Sequence, residues 1–93
     1  PMALLEAMAI GLTVIASRVG GVPNVITDSV DGFLVPAASS VAIVEKIKFL
    51  VANPDIHKKV GLEARCVVVE KYGLDSWYRT MDQLYKDVID IAC

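Results

Sequence analysis

The chain has 93 residues, of which 55% are apolar, and its 9 basic and 11 acidic residues give a net charge of −2. This length allows one small domain or a part of a larger one, and excludes two domains. Acidic and basic residues are mixed along the chain. No basic patch is therefore available for a phosphate backbone, which argues against nucleic acid as a partner.

The mean hydropathy of +0.55 is high for a free-standing soluble domain. No stretch without a charged residue, 7–17 included, reaches the roughly 20 apolar residues of a membrane-spanning helix. No secretory signal pattern appears. The sequence therefore predicts no transmembrane segment, a cytoplasmic location with reduced thiols at Cys66 and Cys93, and apolar surface that a partner covers.

The first 16 residues predict a helix followed by a strand. Strong helix formers fill residues 1–10, and Gly11 is suited to end the helix. Residues 13–16 are β-branched at three of four positions and are too few for a helix. They predict a short, buried, parallel strand.

The next 20 residues predict a loop, a single helical turn and a second strand. The loop contains Gly20 and Gly21, a pair that permits positive φ or a close backbone approach. Residues 22–26 suit one helical turn, because a proline stands near its start. Residues 28–32 have the composition of a turn, and residues 32–35 predict a second short strand.

Three longer helices are predicted after the second strand. The first begins at a serine N-cap, Ser39 or Ser40, and runs to about residue 52. Asn53 and Pro54 signal the start of the next helix, and the last covers about 75–92. Their apolar faces are Ile43, Ile47, Leu50 and Val51; Ile56, Val60, Ala64 and Val67; and Trp77, Met81, Leu84, Val88 and Ile91.

Strands that alternate with helices predict an α/β fold with a parallel sheet and crossover helices. Two strands are too few to make such a sheet stable by themselves. The sequence therefore predicts the C-terminal portion of a Rossmann-like, doubly wound domain, incomplete within these 93 residues.

An ordered succession of short motifs runs through the whole chain, at residues 1–9, 11, 14–17, 20–23, 31–36, 53–54, 61–65 and 77–85. This succession resembles the large retaining GT-B glycosyltransferase family, which includes sucrose synthases, sucrose-phosphate synthases and many bacterial capsule and lipopolysaccharide glycosyltransferases. The resemblance implies that residues 1–93 are part of the C-terminal, donor-binding domain of a hexosyl-transferring enzyme. It also implies that the helix at 75–92 crosses toward an N-terminal GT-B domain.

The resemblance implies a nucleotide-diphosphate sugar as donor, with UDP or GDP as the nucleotide, transfer with retention, and no metal or other cofactor. It leaves peripheral association of the parent enzyme with the inner face of the membrane open. The family carries a pair of glutamates, and Glu6 resembles the second member, which accepts hydrogen bonds from the donor ribose. The backbone of Met2 and Ala3 matches positions that approach the sugar or pyrophosphate. Gly20 and Gly21 match a loop near the interdomain cleft.

No residue of this chain is expected to act as the catalytic group itself, because the other glutamate of the pair falls upstream of Pro1. His57 stands alone at a helix start without a ligand partner at metal-binding spacing, and is interpreted as a solvated surface histidine. Two alternatives to a glycosyltransferase fragment remain. One is a non-catalytic interaction module related to these enzymes, and the other is a GT-B-fold nucleotide-sugar epimerase.

Overall fold

A computed structural model describes residues 2–72, which form four helices around two strands. In chain order the elements are α1 (Met2–Ala9), β1 (Ile15–Ser17), α2 (Val22–Val25), β2 (Phe33–Val35), α3 (Ser40–Ala52) and α4 (Pro54–Tyr72). The strands are parallel, with Ile15 opposite Phe33 and Ser17 opposite Val35. The predicted α/β fold with two short parallel strands is confirmed, and the predicted helix at 75–92 lies outside the described residues.

The end of α1 is fixed by a Schellman motif at Gly11, whose φ of 80° is the left-handed conformation that glycine adopts without strain. The Gly11 N–H donates to the carbonyl of Met8 over 3.0 Å, and the Leu12 N–H donates to the carbonyl of Ala7 over 3.1 Å. These two bonds satisfy carbonyls that an unfinished helix end would leave without donors. The predicted glycine cap is therefore confirmed.

The starts of α3 and α4 also follow local sequence signals. The Ser39 side chain accepts a hydrogen bond from the Ala42 N–H over 3.2 Å and caps α3. Asn53 ends α3, and Pro54 is the first residue of α4. The missing N–H of a proline is no loss there, because the first N–H groups of a helix have no partner within it.

The side chains of β1 and β2 alternate between two apolar cores, one on each face of the sheet. The first core consists of Met8, Ala9, Ile26, Leu34, Ala64 and Val68, with Leu4, Leu5, Val14, Ala16, Val22, Val25 and Tyr72 packed against it. The second core consists of Phe33, Leu50 and Val60, with Ile15 packed against it. Helices α1 and α2 thus cover one face, and α3 covers the other.

Helix α4 contributes to both cores and holds the layers together. Its 19 residues make it about 28 Å long. Val60, near its start, lies in the second core, whereas Ala64 and Val68 lie in the first. Near the start of α4, the Thr13 hydroxyl donates to the His57 carbonyl over 2.5 Å, which ties that helix to the segment just before β1.

The outer edge of β2, on the side away from β1, is covered by the preceding turn. The Leu34 N–H points away from β1 and donates to the Asp28 carboxylate over 2.9 Å. Asp31 is buried, and its carboxylate accepts from the Thr27 N–H over 2.7 Å. A parallel bridge between Asp28 and Gly32 extends the same arrangement. The predicted turn is confirmed, and its two aspartates are the groups that shape it.

The predicted inward face of α3 is wrong for all but Leu50. Ile43, Ile47 and Val51 are exposed by 38%, 48% and 77%. The helix is instead rotated so that Lys46 lies inward, with its ammonium 4.8 Å from the centre of the Phe33 ring. This ring is part of the second core, and the face of an aromatic ring attracts a cation.

The predicted inward face of α4 is also partly wrong. Val60 and Ala64 are buried as predicted, but Ile56 is exposed by 39% and Val68, rather than Val67, completes the face. Cys66 is disulfide-bonded, contrary to the predicted reduced thiol. No helix within residues 2–72 is both long and apolar enough to cross a membrane.

Gly61 is the point at which α4 comes closest to the segment between α1 and β1. A Cβ atom placed at Gly61 would lie 2.3 Å from the carbonyl oxygen of Gly11 and 3.2 Å from Thr13 Oγ1. The first distance is far inside van der Waals contact with a backbone atom, which cannot rotate away. Only glycine therefore permits this approach of the two segments.

We expect Gly61→Ala to destabilise the protein. An alanine in an unhindered helix interior is more stable than glycine by about 1 kcal/mol. Here the added methyl forces α4 away from Gly11, at a cost of about 1–3 kcal/mol as for other overpacked sites. Thermal unfolding followed by calorimetry measures the difference, and a melting temperature equal to or above that of the unaltered protein would contradict the close approach.

Candidate functional site

The predicted donor-binding residues of α1 lie on its solvent-exposed side. Met2, Ala3 and Glu6 are all exposed, whereas Met8 and Ala9 are buried. Within residues 2–72, no ion pair or hydrogen bond engages the Glu6 carboxylate. The carboxylate is therefore available to a ligand.

The contacts of α4 show how α1 is oriented relative to the sheet. Near its start, α4 contacts Thr13, just before β1, and then Gly11 and Ala9 in succession. Farther along, Val68 shares the first core with residues of α1. Helix α1 thus runs antiparallel to α4, and its first turn points toward the carboxyl ends of the strands. That edge is where open α/β sheets bind their ligands.

The loop that contains Gly20 and Gly21 begins at the same carboxyl edge. The Arg18 N–H donates to the carbonyl of Val35 over 2.8 Å, which places the loop directly after both strands. Gly20 has a φ of 51° and both glycines are exposed, with no atom within 4 Å of a Cβ built at either position. The pair therefore leaves open space above the strand ends.

One pair of opposite charges lies close to this edge. The Arg18 guanidinium is 3.9 Å from the Asp28 carboxylate, and both side chains are about half exposed. An exposed pair at this distance contributes little to stability, because water screens it. Within residues 2–72, no group of three or more His, Cys, Asp and Glu side chains is placed to hold a metal ion.

Arg65 is a buried residue whose importance the sequence analysis missed. It is 1% exposed, and its guanidinium donates to the Ala9 carbonyl over 3.3 Å, across 56 residues of sequence. A signal was present in the sequence. Arg65 follows Ala64 and lies four residues after Gly61, so it belongs to the inward face of α4 despite its charge. A charged residue at an inward position implies a partner for that charge.

His57 is exposed as predicted, but it is not without contacts. Its Nδ1 lies 2.8 Å from Thr13 Oγ1. Because the Thr13 hydroxyl donates its hydrogen to the His57 carbonyl, the hydroxyl oxygen must accept from the imidazole. The histidine thus joins α4 to the segment before β1. It lies at the amino edge of the sheet, away from the glycine loop.

Comparison with known proteins identifies the family of the chain. The model of the family of glycosyl transferases group 1 matches residues 1–67. N-acetyl-alpha-D-glucosaminyl L-malate synthase from Bacillus anthracis is 31% identical over 88 residues, which are 95% of this chain and 23% of that protein. The chain thus spans about a quarter of the length of this relative.

Solved structures share the fold. The C-terminal domain of a glycosyl transferase group 1 protein from Francisella tularensis superposes with a TM-score of 0.71 at 34% identity, over 76% of this chain and 36% of that chain. An Anabaena protein crystallised with UDP-glucose superposes with a TM-score of 0.77 over 97% of this chain and 24% of that chain. At 19% identity, the second match shows the fold alone. The chain belongs to the family of glycosyl transferases group 1 and has the α/β fold of that family's C-terminal domain.

Proposed function

We propose that this chain is part of the donor-binding domain of a glycosyltransferase that moves a sugar from a nucleotide-diphosphate sugar to an acceptor with retention of configuration. The observation that carries the proposal is the family match over residues 1–67, together with the unengaged Glu6 carboxylate on α1. The proposal extends from this chain to the whole enzyme, of which residues 1–93 form one part. The predicted helix at 75–92 would connect this part to the N-terminal domain.

Glu6 is assigned to the two hydroxyl groups of the donor ribose. A carboxylate offers two acceptor oxygens and can therefore engage two adjacent hydroxyls at once. Each charge-assisted bond contributes about 1.5–3 kcal/mol. The exposure of Glu6 and the orientation of α1 support this assignment, because the side chain is accessible on the helix that points toward the ligand-binding edge.

The backbone of Met2 and Ala3 is assigned to the pyrophosphate or the sugar. The N–H groups in the first turn of a helix have no carbonyl partner within that helix, and they point along its axis. The helix dipole adds a partial positive charge at the same end, which favours phosphate oxygens. Both residues are exposed. Their side chains take no part in the assignment.

The donor nucleotide is proposed to be UDP or GDP, and no metal is assigned to this part of the enzyme. UDP-glucose is bound by the Anabaena protein of the same fold, which makes UDP the first nucleotide to try. The Gly20–Gly21 loop would border the cleft between the two domains. Because a loop without side chains leaves space, it could lie against the donor or the facing domain without obstruction.

The exposed apolar surface of α3 favours a second candidate function, a non-catalytic interaction module. Most of the exposed large apolar side chains in residues 2–72 lie on this helix: Val41, Ile43, Val44, Ile47, Phe49 and Val51. Nucleotide binding distinguishes the candidates. Calorimetric titration of the full-length protein with UDP and GDP should give binding for the enzyme, and none for a module of this kind.

We expect Glu6→Ala to weaken donor binding more than it slows the chemical step. A ribose contact is remote from the anomeric carbon and changes little between ground and transition states, so it acts as uniform binding. Loss of two charge-assisted bonds should cost about 3–6 kcal/mol, on the order of 100- to 10,000-fold in donor KM. Steady-state kinetics of the full-length enzyme with varied donor provides the measurement.

Two further variants serve as controls for Glu6→Ala. Glu6→Gln keeps one acceptor oxygen and should raise the donor KM less. Glu45→Ala removes the same charge from an exposed position on α3, on the other face of the sheet, and should leave the donor KM unchanged. A collapse of kcat in Glu6→Ala at unchanged donor KM would show that the ribose assignment is wrong.

The two glycines of the loop should respond differently to the same substitution. Gly20→Ala places a side chain at φ 51°, which costs about 1–2 kcal/mol, whereas Gly21, at φ −82°, tolerates alanine. Neither added methyl would meet a neighbouring atom, so the comparison isolates the backbone conformation. Thermal unfolding of both variants tests it. Equal melting temperatures would mean that the loop does not hold Gly20 in its left-handed conformation.

A further inference from the structure

We propose that Arg65 is a positioning residue for the donor site. From α4, it holds the carboxyl end of α1 and thereby sets where the Glu6 carboxylate lies. This inference rests on the proposed role of Glu6 as the ribose ligand.

The carbonyl groups at the end of α1 show what Arg65 supplies. The Schellman motif satisfies the carbonyls of Ala7 and Met8 from within the chain segment itself. The carbonyl of Ala9 is the next in line, and its donor is the Arg65 guanidinium, over 3.3 Å. Arg65 therefore completes the cap of α1 from another helix.

The environment of Arg65 favours this bond. The side chain is 1% exposed, so water does not compete for the Ala9 carbonyl. The last carbonyls of a helix carry a partial negative charge, which a cation stabilises. A bond with one ionised partner is roughly twice as strong as a neutral one.

Gly61 makes the contact between the two helices possible. It lies one turn before Arg65 on the same face of α4, and it has no side chain that would meet the Gly11 carbonyl. Gly61 and Arg65 together therefore hold two successive points at the end of α1. We call these two residues the α1 clamp.

The α1 clamp fixes the position of α1 along and about its axis, which the apolar contacts of this helix do not fix. The inner side of α1 packs through Leu4, Leu5 and Met8, and apolar contacts are not directional. They permit a small slide or rotation of the helix, whereas hydrogen bonds weaken steeply as their angles change. Glu6 precedes Ala9 by three residues, about 4.5 Å along the axis, so a displacement at the clamp is passed directly to its carboxylate.

The test compares binding of a ribonucleotide with binding of its 2′-deoxy form to the full-length enzyme. The probes are UDP or GDP, whichever the unaltered enzyme binds more tightly, and the matching 2′-deoxynucleoside diphosphate. The ratio of the two dissociation constants reports the ribose contact and not the general stability of the protein.

We expect Arg65→Met to weaken ribonucleotide binding by about tenfold, roughly the loss of one well-placed hydrogen bond. Binding of the 2′-deoxy form should weaken less, so that the ratio of the two dissociation constants approaches one. Arg65→Lys keeps a charged donor and should retain most of the ratio. Gly61→Ala displaces α4 from Gly11, the other contact of the clamp, and should also lower the ratio of dissociation constants. If Arg65→Met does not fold, Gly61→Ala provides the test.

Val60→Ala is the matched control for loss of packing. Val60 is buried on α4 next to Gly61, but it belongs to the second core, whereas the buried residues of α1 belong to the first. It should lower the melting temperature and leave the ratio of dissociation constants unchanged. A ratio that falls equally in Val60→Ala and Arg65→Met would overturn the proposal, because general loosening of α4 would then explain both.

Glu6→Ala separates failure of this inference from failure of the proposed function. If Glu6→Ala keeps the preference for the ribonucleotide, Glu6 is not the ribose ligand and the proposed role falls. If Glu6→Ala removes the preference while Arg65→Met and Gly61→Ala retain it, only the positioning role falls. If the positioning role is correct, adding Arg65→Met to Glu6→Ala should weaken ribonucleotide binding no further.

Discussion

The close approach of α4 to the carboxyl end of α1 is the constraint on which the other contacts depend. It needs a residue without a side chain at Gly61, because the carbonyl of Gly11 occupies the space. Once this approach is made, Arg65 reaches Ala9, and Ala64 and Val68 enter the first core while Val60 reaches the second. A single backbone contact thus determines how α4 joins two layers that lie on opposite faces of a small sheet.

The candidate site depends on this constraint because it consists largely of backbone on α1. A site of this kind cannot adjust by rotating side chains, since the N–H groups of Met2 and Ala3 move only when the helix moves. The position of these N–H groups is then determined by the residues that hold the carboxyl end of α1. Buried residues such as Arg65 can therefore affect ligand binding without approaching the ligand.

The elements and the fold could be predicted from the sequence because local signals mark their ends. Gly11, Ser39 and Pro54 each act within one turn of the chain, and all three act as predicted. Which faces point inward could not be predicted reliably, because this depends on neighbours distant in sequence. Lys46 lies inward because an aromatic ring of β2 meets its ammonium, a contact that the spacing of apolar residues on α3 does not reveal. The inward position of Arg65 could not be predicted for the same reason, because the Ala9 carbonyl that it contacts lies 56 residues away in sequence. For the candidate site, the motif resemblance pointed to Glu6 on α1, but not to the groups that hold that helix.

The carboxylate of Asp28 determines at which edge the small sheet can be extended. Because it already binds the outward N–H of Leu34, a further strand cannot form a regular ladder along β2 without displacing it. Within residues 2–72, no strand other than β2 pairs with β1, so the outer edge of β1 carries no neighbouring strand. Any strand that joins this sheet, from the same polypeptide or from another, is therefore directed to β1. One acidic side chain in a turn thus sets the side on which the sheet can be extended, and it protects the opposite side against association.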